Sequence, residues 1–277
     1  MKSKILILGS SSFSGSSMVN FLLNKNKFKV YGTYRRIKKK NLLPFNNCKN
    51  IKLFKNYKID LLKDSKKLIK IIGEIKPDYI VDFASICMVN ESWKNSDYYF
   101  KINVRSRVKL VEYLNKTKSL KKYIYISTPE IFGSSKKFRD ENCKDFNPST
   151  PYAASKLSAE LLLKNYCQYF KFPLIIARFS NFYGPGQPLY RLIPKIITCI
   201  DNKSKFPLQG SGKSKRNFIF TYDFCFGIYK ILQKGLVGET YHFSGNNFQS
   251  VIKIIKTACD LKSYHPNKLI KKSKGRI

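Results

Sequence analysis

The feature that most constrains the fold of this chain is a regular alternation of apolar strand patterns with helical patterns. Short apolar runs, rich in β-branched and aromatic residues, recur at 4–8, 27–34, within 50–61, and at 79–84, 123–128 and 172–179. Helical patterns separate them at 16–24, 65–75, near 98–115 and near 152–170. Because parallel strands need helical crossovers, the alternation predicts an α/β fold with a doubly wound parallel sheet.

The pattern changes after residue 180. Segments rich in glycine and proline, such as "YGPGQPLYRLIP" and "FPLQGSGKSKR", replace the regular alternation. Glycine and proline at this density indicate loops with short elements between them. We therefore predict a large domain at 1–180 and a smaller, irregular lobe at 181–277 that caps the sheet.

The formal charge of +36 first suggests a nucleic-acid partner. Two observations argue against one. The chain has 44 lysines against 9 arginines, whereas surfaces that read bases favour arginine. The basic residues are also spread along the whole chain rather than gathered in one arm. We predict no nucleic-acid partner and expect the charge to attract an anionic substrate.

Membrane and export signals are weak in this sequence. No apolar run approaches the length of a bilayer span, and "MKSKILILGS" has too short an apolar run for a signal peptide. The seven cysteines are scattered, odd in number and never spaced as CxxC. These features predict a reduced, cytoplasmic chain with no membrane partner and no metal site.

The turn after the first strand, "GSSSFSG", runs from Gly9 to Gly15. Glycines at a strand-to-helix junction allow a tight turn and a close approach of a pyrophosphate to the helix N-terminus. Ser12 stands where such an approach would favour glycine. A plain glycine-serine turn fits these residues equally well, and the position at the first junction favours a dinucleotide.

The end of the second strand, "TYRR", carries Arg35 and Arg36. An NAD site usually places an acidic residue near this point for the ribose hydroxyls, and this chain has none there. Guanidinium groups suit a 2′-phosphate, so NADP is predicted over NAD, with NAD as the alternative. Two solvated arginines in a very basic chain are an equally simple interpretation.

The stretch "STPYAASK" predicts a helix start with Thr150 as N-cap and Pro151 at the first helical position. Tyr152 and Lys156 then lie one turn apart on the same helix face. A phenol with a pKa of about 10 is a poor base near neutrality, and a neighbouring ammonium favours its ionised form. The pair could exchange a proton with a hydroxyl during hydride transfer.

The strand "YIYISTPEIFG" at 123–133 ends in two hydroxyls, a proline and a carboxylate. A polar turn would explain this ending. So would an active site at the carboxyl ends of a parallel sheet. Thr128 precedes Pro129, so its backbone is biased towards the extended region, and the proline ring fixes the next φ. Thr128 and Glu130 should therefore be held in a stiff relation.

These motifs occur together and in order: the Gly9–Gly15 turn, Asp60-Leu61, Ser127-Thr128, Tyr152-xxx-Lys156 and "RFSNFYGPG" at 178–186. In this combination the sequence resembles the extended short-chain dehydrogenase/reductase family, and within it the nucleotide-sugar epimerases and dehydratases. The resemblance covers essentially the whole chain. It implies a Rossmann-type NAD(P)-binding domain at 1–180 and a nucleotide-sugar-binding lobe at 181–277.

The resemblance also implies residue roles, position by position. The pyrophosphate of the cofactor would be held by Gly9, Ser12, Phe13 and Gly15. Its adenine would contact Asp60 and Leu61, and its cleft would be lined by Ala84 and Ser85. Tyr152 would be the base, Lys156 would orient the nicotinamide ribose, and Thr128 would bind the sugar O4. The substrate phosphates would contact Asn181 and Arg216.

Glu130 distinguishes between the reactions that members of the family catalyse. In 4,6-dehydratases a glutamate follows the threonine at this spacing and removes the C5 proton before water leaves from C6. Enzymes acting on dTDP-glucose usually carry an aspartate between the two, where this chain has Pro129, whereas the GDP-mannose type does without it. We therefore expect a 4,6-dehydratase of the dTDP-glucose or GDP-mannose type. The alternatives are a UDP-sugar 4-epimerase, a UDP-glucuronate decarboxylase, or an inactive member that only binds the cofactor.

The comparison with the family pattern shows one departure and leads to two further expectations. Cys87-Met88 occupies the place of a Ser-His pair that is usual in the family. The sequence ends in "KKSKGRI", where family members continue for several tens of residues, so the substrate lobe is expected to be incomplete at its C-terminal side. A homodimer is expected, in which the helix carrying Tyr152 and the preceding long helix form a bundle with a second copy.

Overall fold

The structure, a computed structural model, describes residues 2–36, 43–135, 138–246 and 248–273. Its strands are β1 (Ser3–Leu8), β2 (Phe28–Tyr34), β3 (Lys55–Lys58), β4 (Tyr79–Asp82), β5 (Lys122–Ser127), β6 (Leu174–Phe179), β7 (Asn181–Tyr183), β8 (Phe206–Gln209), β9 (Lys215–Phe220), β10 (Thr240–Phe243), β11 (Phe248–Ser250) and β12 (Ile270–Ser273). Its α-helices are α1 (Phe13–Lys25), α2 (Ser65–Ile75), α3 (Val89–Lys94), α4 (Ser96–Phe100), α5 (Ser106–Thr117), α6 (Pro151–Phe170), α7 (Leu192–Asp201), α8 (Thr221–Lys234), α9 (Val251–Leu261) and α10 (Pro266–Leu269).

The chain divides into two compact units. The first consists of Met1–Phe179 together with Tyr222–Phe243, and the second of Ser180–Thr221 together with Ser244–Ile277. The chain thus enters the second unit after β6, returns for α8 and β10, and then enters the second unit again. Residues 274–277 of the "KKSKGRI" ending lie outside the described residues.

The first unit is built on a seven-stranded sheet with the order β10-β6-β5-β4-β1-β2-β3. Every neighbouring pair in it is parallel. The order reverses direction between β1 and β4, and ligands of such sheets bind in the crevice outside the carboxyl ends of the strands at this point. The predicted α/β fold with a doubly wound parallel sheet is therefore confirmed.

The central strands are apolar because helices cover both faces of the sheet. Ile5, Leu6, Ile7 and Leu8 in β1 are all fully buried. On one face, residues of α2, α5 and α6 join a common core with Leu6 and Leu8. On the other face lie α1 and α8, whose aromatic rings pack on each other and on the sheet. This burial fixes the strand ends that carry the predicted site residues.

One predicted helix is divided. The pattern near 98–115 folds as α4, a π-helical turn at Lys101–Arg105, and α5. Asn103 lies in this turn, is fully buried, and donates from its amide nitrogen to the Ser155 hydroxyl at 2.9 Å and to the Ile86 carbonyl at 3.2 Å. The extra residue in the turn aims this side chain at the neighbouring elements, which is a common use of π-turns at functional sites.

The second unit has a three-stranded sheet, β11-β9-β7, and a two-stranded sheet, β12-β8. Its core packs α7 and α9 against the smaller sheet, through the buried residues Ile196, Cys199, Ile200, Phe206, Leu208, Ile255, Cys259 and Leu269. Within the described parts of the chain, no helix combines the length and the apolar character needed to cross a membrane.

Candidate active site

The first turn of the sheet is shaped by two glycines. Gly9 has a φ of 79°, a left-handed conformation that suits glycine. At Gly15 an added Cβ would lie 2.3 Å from the Gly9 carbonyl oxygen, so only glycine lets α1 pack this closely on the end of β1. The Ser12 hydroxyl accepts from the Gly15 amide at 3.0 Å and caps α1. Ser12, which stands where a close approach of the cofactor would favour glycine, thus supplies the helix cap.

The ends of β2 and β3 carry the residues predicted to meet the adenosine part of a dinucleotide. Arg35 and Arg36 are exposed, and the Arg35 guanidinium donates to the Tyr98 hydroxyl. Asp60 is partly buried, and its carboxylate accepts from the Leu62 amide at 2.9 Å. The turn therefore holds this carboxylate in one orientation at the carboxyl end of β3.

The loop after β4 rests on a buried ion pair. Asp82 accepts from Arg107 at two positions, 2.9 Å from Nε and 3.0 Å from Nη2, and both side chains are 1% exposed. Arg107 also donates to the Ala84 carbonyl at 2.6 Å and to the Ser85 hydroxyl at 3.3 Å. The two residues predicted to line the cofactor cleft, Ala84 and Ser85, are thus held by a side chain from α5.

The helix with the Tyr-Lys pair begins as predicted. Thr150 is the N-cap of α6 and accepts from the Ala153 amide at 3.1 Å, with Pro151 in the first turn. Tyr152 and Lys156 are both buried on the same side of this helix. Each lies towards the protein interior, where neighbouring strands and loops can fix its position.

Lys156 is held by two hydrogen bonds. Its ammonium donates to the Ile126 carbonyl at 2.7 Å and to the Ser85 hydroxyl at 3.0 Å, and it lies 4.1 Å from the centroid of the Tyr125 ring. Burial, with the positive charge of Arg107 as the next cause, lowers the pKa of Lys156 to about 7. An amine with this pKa changes its charge near neutrality, where a proton-transfer residue is most effective.

The turn after β5 brings Thr128 and Glu130 together. Thr128 is buried and has extended backbone angles, φ −140° and ψ 145°, as the proline at 129 predicted. Its hydroxyl accepts from the Glu130 amide at 3.2 Å and caps a short 3₁₀ turn at Pro129–Phe132. The Glu130 side chain is exposed. A buried hydroxyl and an exposed carboxylate therefore stand two residues apart at the carboxyl end of the sheet.

The two residues predicted to bind substrate phosphates lie in the second unit. Asn181 is in β7 and Arg216 in β9, strands that pair in parallel, and both side chains are exposed. Asn217 next to Arg216 is buried and exchanges two hydrogen bonds with the backbone of Gly245, at 2.5 and 2.6 Å. The backbone of β9 is thus fixed while the Arg216 guanidinium stays accessible.

A profile of the NAD dependent epimerase/dehydratase family matches residues 5–243. The chain belongs to this family. Its relatives include the dTDP-D-glucose 4,6-dehydratase of Dictyostelium discoideum, 34% identical over 266 residues, which cover 89% of this chain and 59% of that protein. The human dTDP-D-glucose 4,6-dehydratase is 30% identical over 270 residues, 93% of this chain and 73% of the relative. The chain spans only 59% and 61% of the lengths of the first two relatives.

Solved structures of epimerase/dehydratase proteins have the same fold. The dTDP-glucose 4,6-dehydratase of Bacillus anthracis in complex with NAD is 28% identical with a TM-score of 0.88, over 99% of this chain and 85% of that one. The UDP-glucuronic acid 4-epimerase of Bacillus cereus, in complex with UDP-glucuronic acid and NAD, is 26% identical with a TM-score of 0.87, over 98% and 86%. The predicted resemblance to nucleotide-sugar dehydratases and epimerases is confirmed.

The residues present fit the nicotinamide dinucleotide that the family name implies. The Gly9–Gly15 turn leaves no room for a side chain at its second glycine and opens the N-terminus of a 13-residue helix, which attracts a pyrophosphate.

Among the described residues, no group of three or more His, Cys, Asp or Glu side chains is arranged to hold a metal ion. None of the seven cysteines, all of which lie within the described residues, forms a disulfide.

Sequence reasoning missed two buried charge clusters in the first unit. One is the Asp82–Arg107 pair. In the other, Arg178 on β6 pairs with Glu160 on α6 at 2.5 Å and contacts His242 on β10 at 3.0 Å. A signal for the first existed, because a carboxylate inside the apolar run "YIVDFA" needs a buried partner. The partner, 25 residues away on another element, could not be identified from the sequence.

Proposed function

We propose that this epimerase/dehydratase family member is a nucleotide-sugar 4,6-dehydratase of the dTDP-glucose type, with the GDP-mannose type as the alternative substrate class. The observation that carries the proposal is the capped turn after β5, which places a buried threonine and an exposed glutamate two residues apart. The relatives named above as dTDP-D-glucose 4,6-dehydratases support the substrate class.

The acid–base part of the reaction falls to Tyr152 and Lys156. In the proposal the Tyr152 phenolate takes the proton from the C4 hydroxyl of the sugar, and the Lys156 ammonium stabilises the phenolate. The dinucleotide, when bound, supplies the acceptor and later the donor of a hydride. Lys156 can serve this role because the Ile126 carbonyl and the Ser85 hydroxyl fix its ammonium in place.

The elimination part falls to Thr128 and Glu130. Thr128 binds O4, and oxidation at C4 makes the C5 proton acidic. Glu130 removes that proton and passes it to the C6 hydroxyl, which leaves as water as the C5–C6 double bond forms. A hydride then adds at C6, and a solvent proton taken up by Glu130 adds at C5. The capped turn fixes the Thr128 hydroxyl and the backbone of Glu130 relative to each other, so the carboxylate starts from a constant position two residues from the O4 ligand. Asn181 and Arg216, both exposed on neighbouring strands, bind the diphosphate of the substrate in this proposal.

A 4-epimerase is the second candidate. It is favoured by the likeness to the UDP-glucuronic acid 4-epimerase of Bacillus cereus and by Pro129, which cannot donate a proton to a leaving hydroxyl. An epimerase needs Thr128 and Tyr152 but has no use for a base at C5. Glu130 therefore distinguishes the two reactions.

The remaining features of the proposal concern cofactor choice, assembly and location. NADP is preferred over NAD if Arg35 and Arg36, which are exposed, bind a 2′-phosphate. A homodimer formed through α5 and α6 would cover apolar side chains there. Leu161 on α6 is 47% exposed, and Trp93 on the neighbouring α3 is 65% exposed. A cytoplasmic location agrees with seven cysteines that form no disulfide within the described residues.

The experiment that tests the proposal compares the wild type with Glu130→Gln on dTDP-glucose and GDP-mannose. We expect Glu130→Gln to reduce the bound dinucleotide on adding the sugar, because hydride removal from C4 needs only Tyr152 and Thr128. We expect it to release no water and to incorporate no solvent deuterium at C5. Thr128→Val is the matched control, because it lowers dinucleotide reduction as well. Deuterium incorporation at the wild-type rate in Glu130→Gln would exclude Glu130 and favour the epimerase.

A further inference from the structure

The Asp82–Arg107 pair does more than neutralise charge within the first unit. Asp82 ends β4, where its two carboxylate oxygens accept from Arg107, and Oδ2 also accepts from the Tyr123 hydroxyl at 2.7 Å. Oδ1 accepts from the Ala84 amide at 2.9 Å. The carboxylate is therefore fully occupied by four donors, and it fixes the Arg107 guanidinium in a single plane.

The guanidinium in turn fixes the loop after β4. Its Nη2 donates to the Ala84 carbonyl at 2.6 Å and reaches the Ser85 hydroxyl at 3.3 Å, while Nη1 donates to the Ile102 carbonyl at 2.6 Å. A single planar group thus links the end of β4, the following loop and the turn before α5. The fork geometry of arginine allows this combination, and the single ammonium of a lysine does not.

Ser85 joins this group to Lys156. Its hydroxyl oxygen accepts from the Lys156 ammonium at 3.0 Å and lies 3.3 Å from Arg107 Nη2, which shares with it a hydrogen that also serves Asp82 or the Ala84 carbonyl. A hydroxyl oxygen has two acceptor positions and one hydrogen to donate. Since both acceptor positions are used by cations, the hydrogen of Ser85 has to point away from them.

We propose that Arg107 is a positioning residue, which sets the Ala84–Ser85 loop and, through the Ser85 hydroxyl, the location of the Lys156 ammonium. This proposal rests on the proposed function for the role of Lys156 in turnover. Its effect on dinucleotide binding does not rest on that function, because Ala84 and Ser85 belong to the loop at the switch point of the sheet.

Several charged or titratable groups act on Lys156 from the elements around it. Arg107 on α5 opposes the charge of Lys156, whereas Asp82 on β4, Glu160 on α6 and Cys87 in the loop after β4 favour it. The Tyr125 ring on β5 faces the ammonium directly, and Tyr152 precedes it by one turn of α6. Arg107 is the largest of the charge effects, so removing its charge should raise the pKa of Lys156.

The first experiment is Arg107→Lys, with Arg178→Lys as the matched control. Both substitutions keep the charge and break a two-point arginine–carboxylate contact that is 1% exposed on both sides. We expect Arg107→Lys to weaken NAD binding and to lower kcat, each on the order of tenfold, with the KM for the sugar within about twofold of wild type. Arg178→Lys should lower the melting temperature while NAD affinity stays within about twofold.

A second variant covers the case in which Arg107→Lys does not fold. Asp82→Asn combined with Arg107→Gln removes both charges and retains a neutral hydrogen-bonded pair, a type of exchange that buried ion pairs often tolerate. We expect the same loss of NAD affinity. Since Arg107 lowers the pKa of Lys156 more than Asp82 raises it, we also expect the alkaline limb of the kcat profile, where Lys156 loses its proton, to move slightly to higher pH, whereas Arg107→Lys leaves that limb in place.

The outcomes separate this proposal from the proposed function. NAD affinity is measured by titration calorimetry without sugar. If the wild type binds NAD but turns over no nucleotide sugar, the proposed function fails and the affinity comparison still decides the role of Arg107. Wild-type NAD affinity in both Arg107 variants would overturn the positioning role. An equal loss of affinity in Arg178→Lys would also overturn it, because general loss of stability would then explain the result.

Discussion

The residues to which we assign roles are held in different ways in the two units. In the first unit, Lys156 and Thr128 are 2% and 8% exposed, and each makes hydrogen bonds to the ends of neighbouring strands or turns. In the second, Asn181 and Arg216 are exposed, and the Asn181 amide has a contact of only 3.5 Å, to the Asn217 carbonyl. The Lys156 ammonium and the Thr128 hydroxyl are therefore positioned by the fold, while the residues assigned to substrate phosphates are exposed on two paired strands.

This difference follows from what each task requires. Catalytic steps are sensitive to misplacement of a side chain by about 1 Å, and buried hydrogen bonds hold side chains in position before the reaction begins. Binding of a diphosphate depends on charge and reach, and an exposed guanidinium provides both. We expect substitutions in the first unit to affect kcat, cofactor affinity or stability, and those in the second unit to affect the KM for the nucleotide sugar.

The largest expected effect is that of Tyr152→Phe. The ring and its packing against Tyr99, at 6.4 Å between centroids, remain, while the proton acceptor is lost. General acid–base catalysis contributes about 10²–10⁴ in rate, so kcat should fall by that factor with NAD affinity unchanged. Steady-state kinetics and a calorimetric titration with NAD measure the two quantities. A variant that keeps a tenth of the wild-type kcat would exclude Tyr152 as the base.

The next effect is on stability and concerns Lys156→Met. The pKa of Lys156 is about 7 in the folded protein and about 10.4 in an unfolded chain, so the unfolded state binds more protons between these values. The free energy of unfolding should therefore rise with pH from about 7 to 10, at about 1.4 kcal/mol per pH unit from this group.

Lys156→Met should remove that rise. The free energy of unfolding of the variant minus that of the wild type should therefore be larger at pH 6 than at pH 10. Urea unfolding at both pH values provides the measurement, with Lys164→Met as a control on the same helix. Burial lowers the pKa of Lys164 as well, but that side chain is only partly buried. A difference between wild type and Lys156→Met that is the same at both pH values would contradict the assignment of a lowered pKa to Lys156.

A smaller effect is expected for the second unit. Arg216→Gln removes an exposed cation and leaves the buried Asn217 contact with Gly245 in place. A charge-assisted hydrogen bond is worth about 1.5–3 kcal/mol, so the KM for the nucleotide sugar should rise by roughly tenfold or more with kcat unchanged. Lys215→Gln on the same strand is the control. A fall in kcat without a change in KM would break the distinction between the two units.

The smallest effect concerns cofactor choice. Arg35→Ala with Arg36→Ala removes two exposed guanidinium groups at the end of β2. Surface ion pairs contribute about 0–1 kcal/mol, so the affinity for NADP should fall by about fivefold relative to NAD. Titrations with both cofactors measure the ratio. Equal affinity of the wild type for NAD and NADP would show that the arginines do not select the cofactor.

Much of the fold followed from the sequence because its patterns are local. The helix predicted at 65–75 is α2, whose apolar stripe repeats with the period of an α-helix. The start of α6 followed from Thr150 and Pro151, whose capping geometry depends on adjacent residues. The stiff turn at Thr128 followed from the proline after it. In each case the decisive interactions span four residues or fewer.

The parts that the sequence did not predict depend on contacts between distant residues. The π-turn that divides the predicted helix near 98–115 places Asn103 against Ser155, 52 residues later. The Arg107 guanidinium meets Asp82 across 25 residues, and the Lys156 ammonium meets Ser85 across 71. The roles of Asn181 and Arg216 stay predictions, because charge and exposure alone do not identify a ligand.

Elimination of water is the step that would distinguish this chain as a dehydratase from an epimerase. The most direct measurement is to incubate the wild-type protein with NAD and dTDP-glucose in deuterated water and to analyse the product by mass spectrometry and NMR. We predict a product that has lost one water, carries a keto group at C4 and contains deuterium at C5, because Glu130 exchanges the proton that it removes. A product of unchanged mass with inverted C4 and no deuterium at C5 would contradict this prediction.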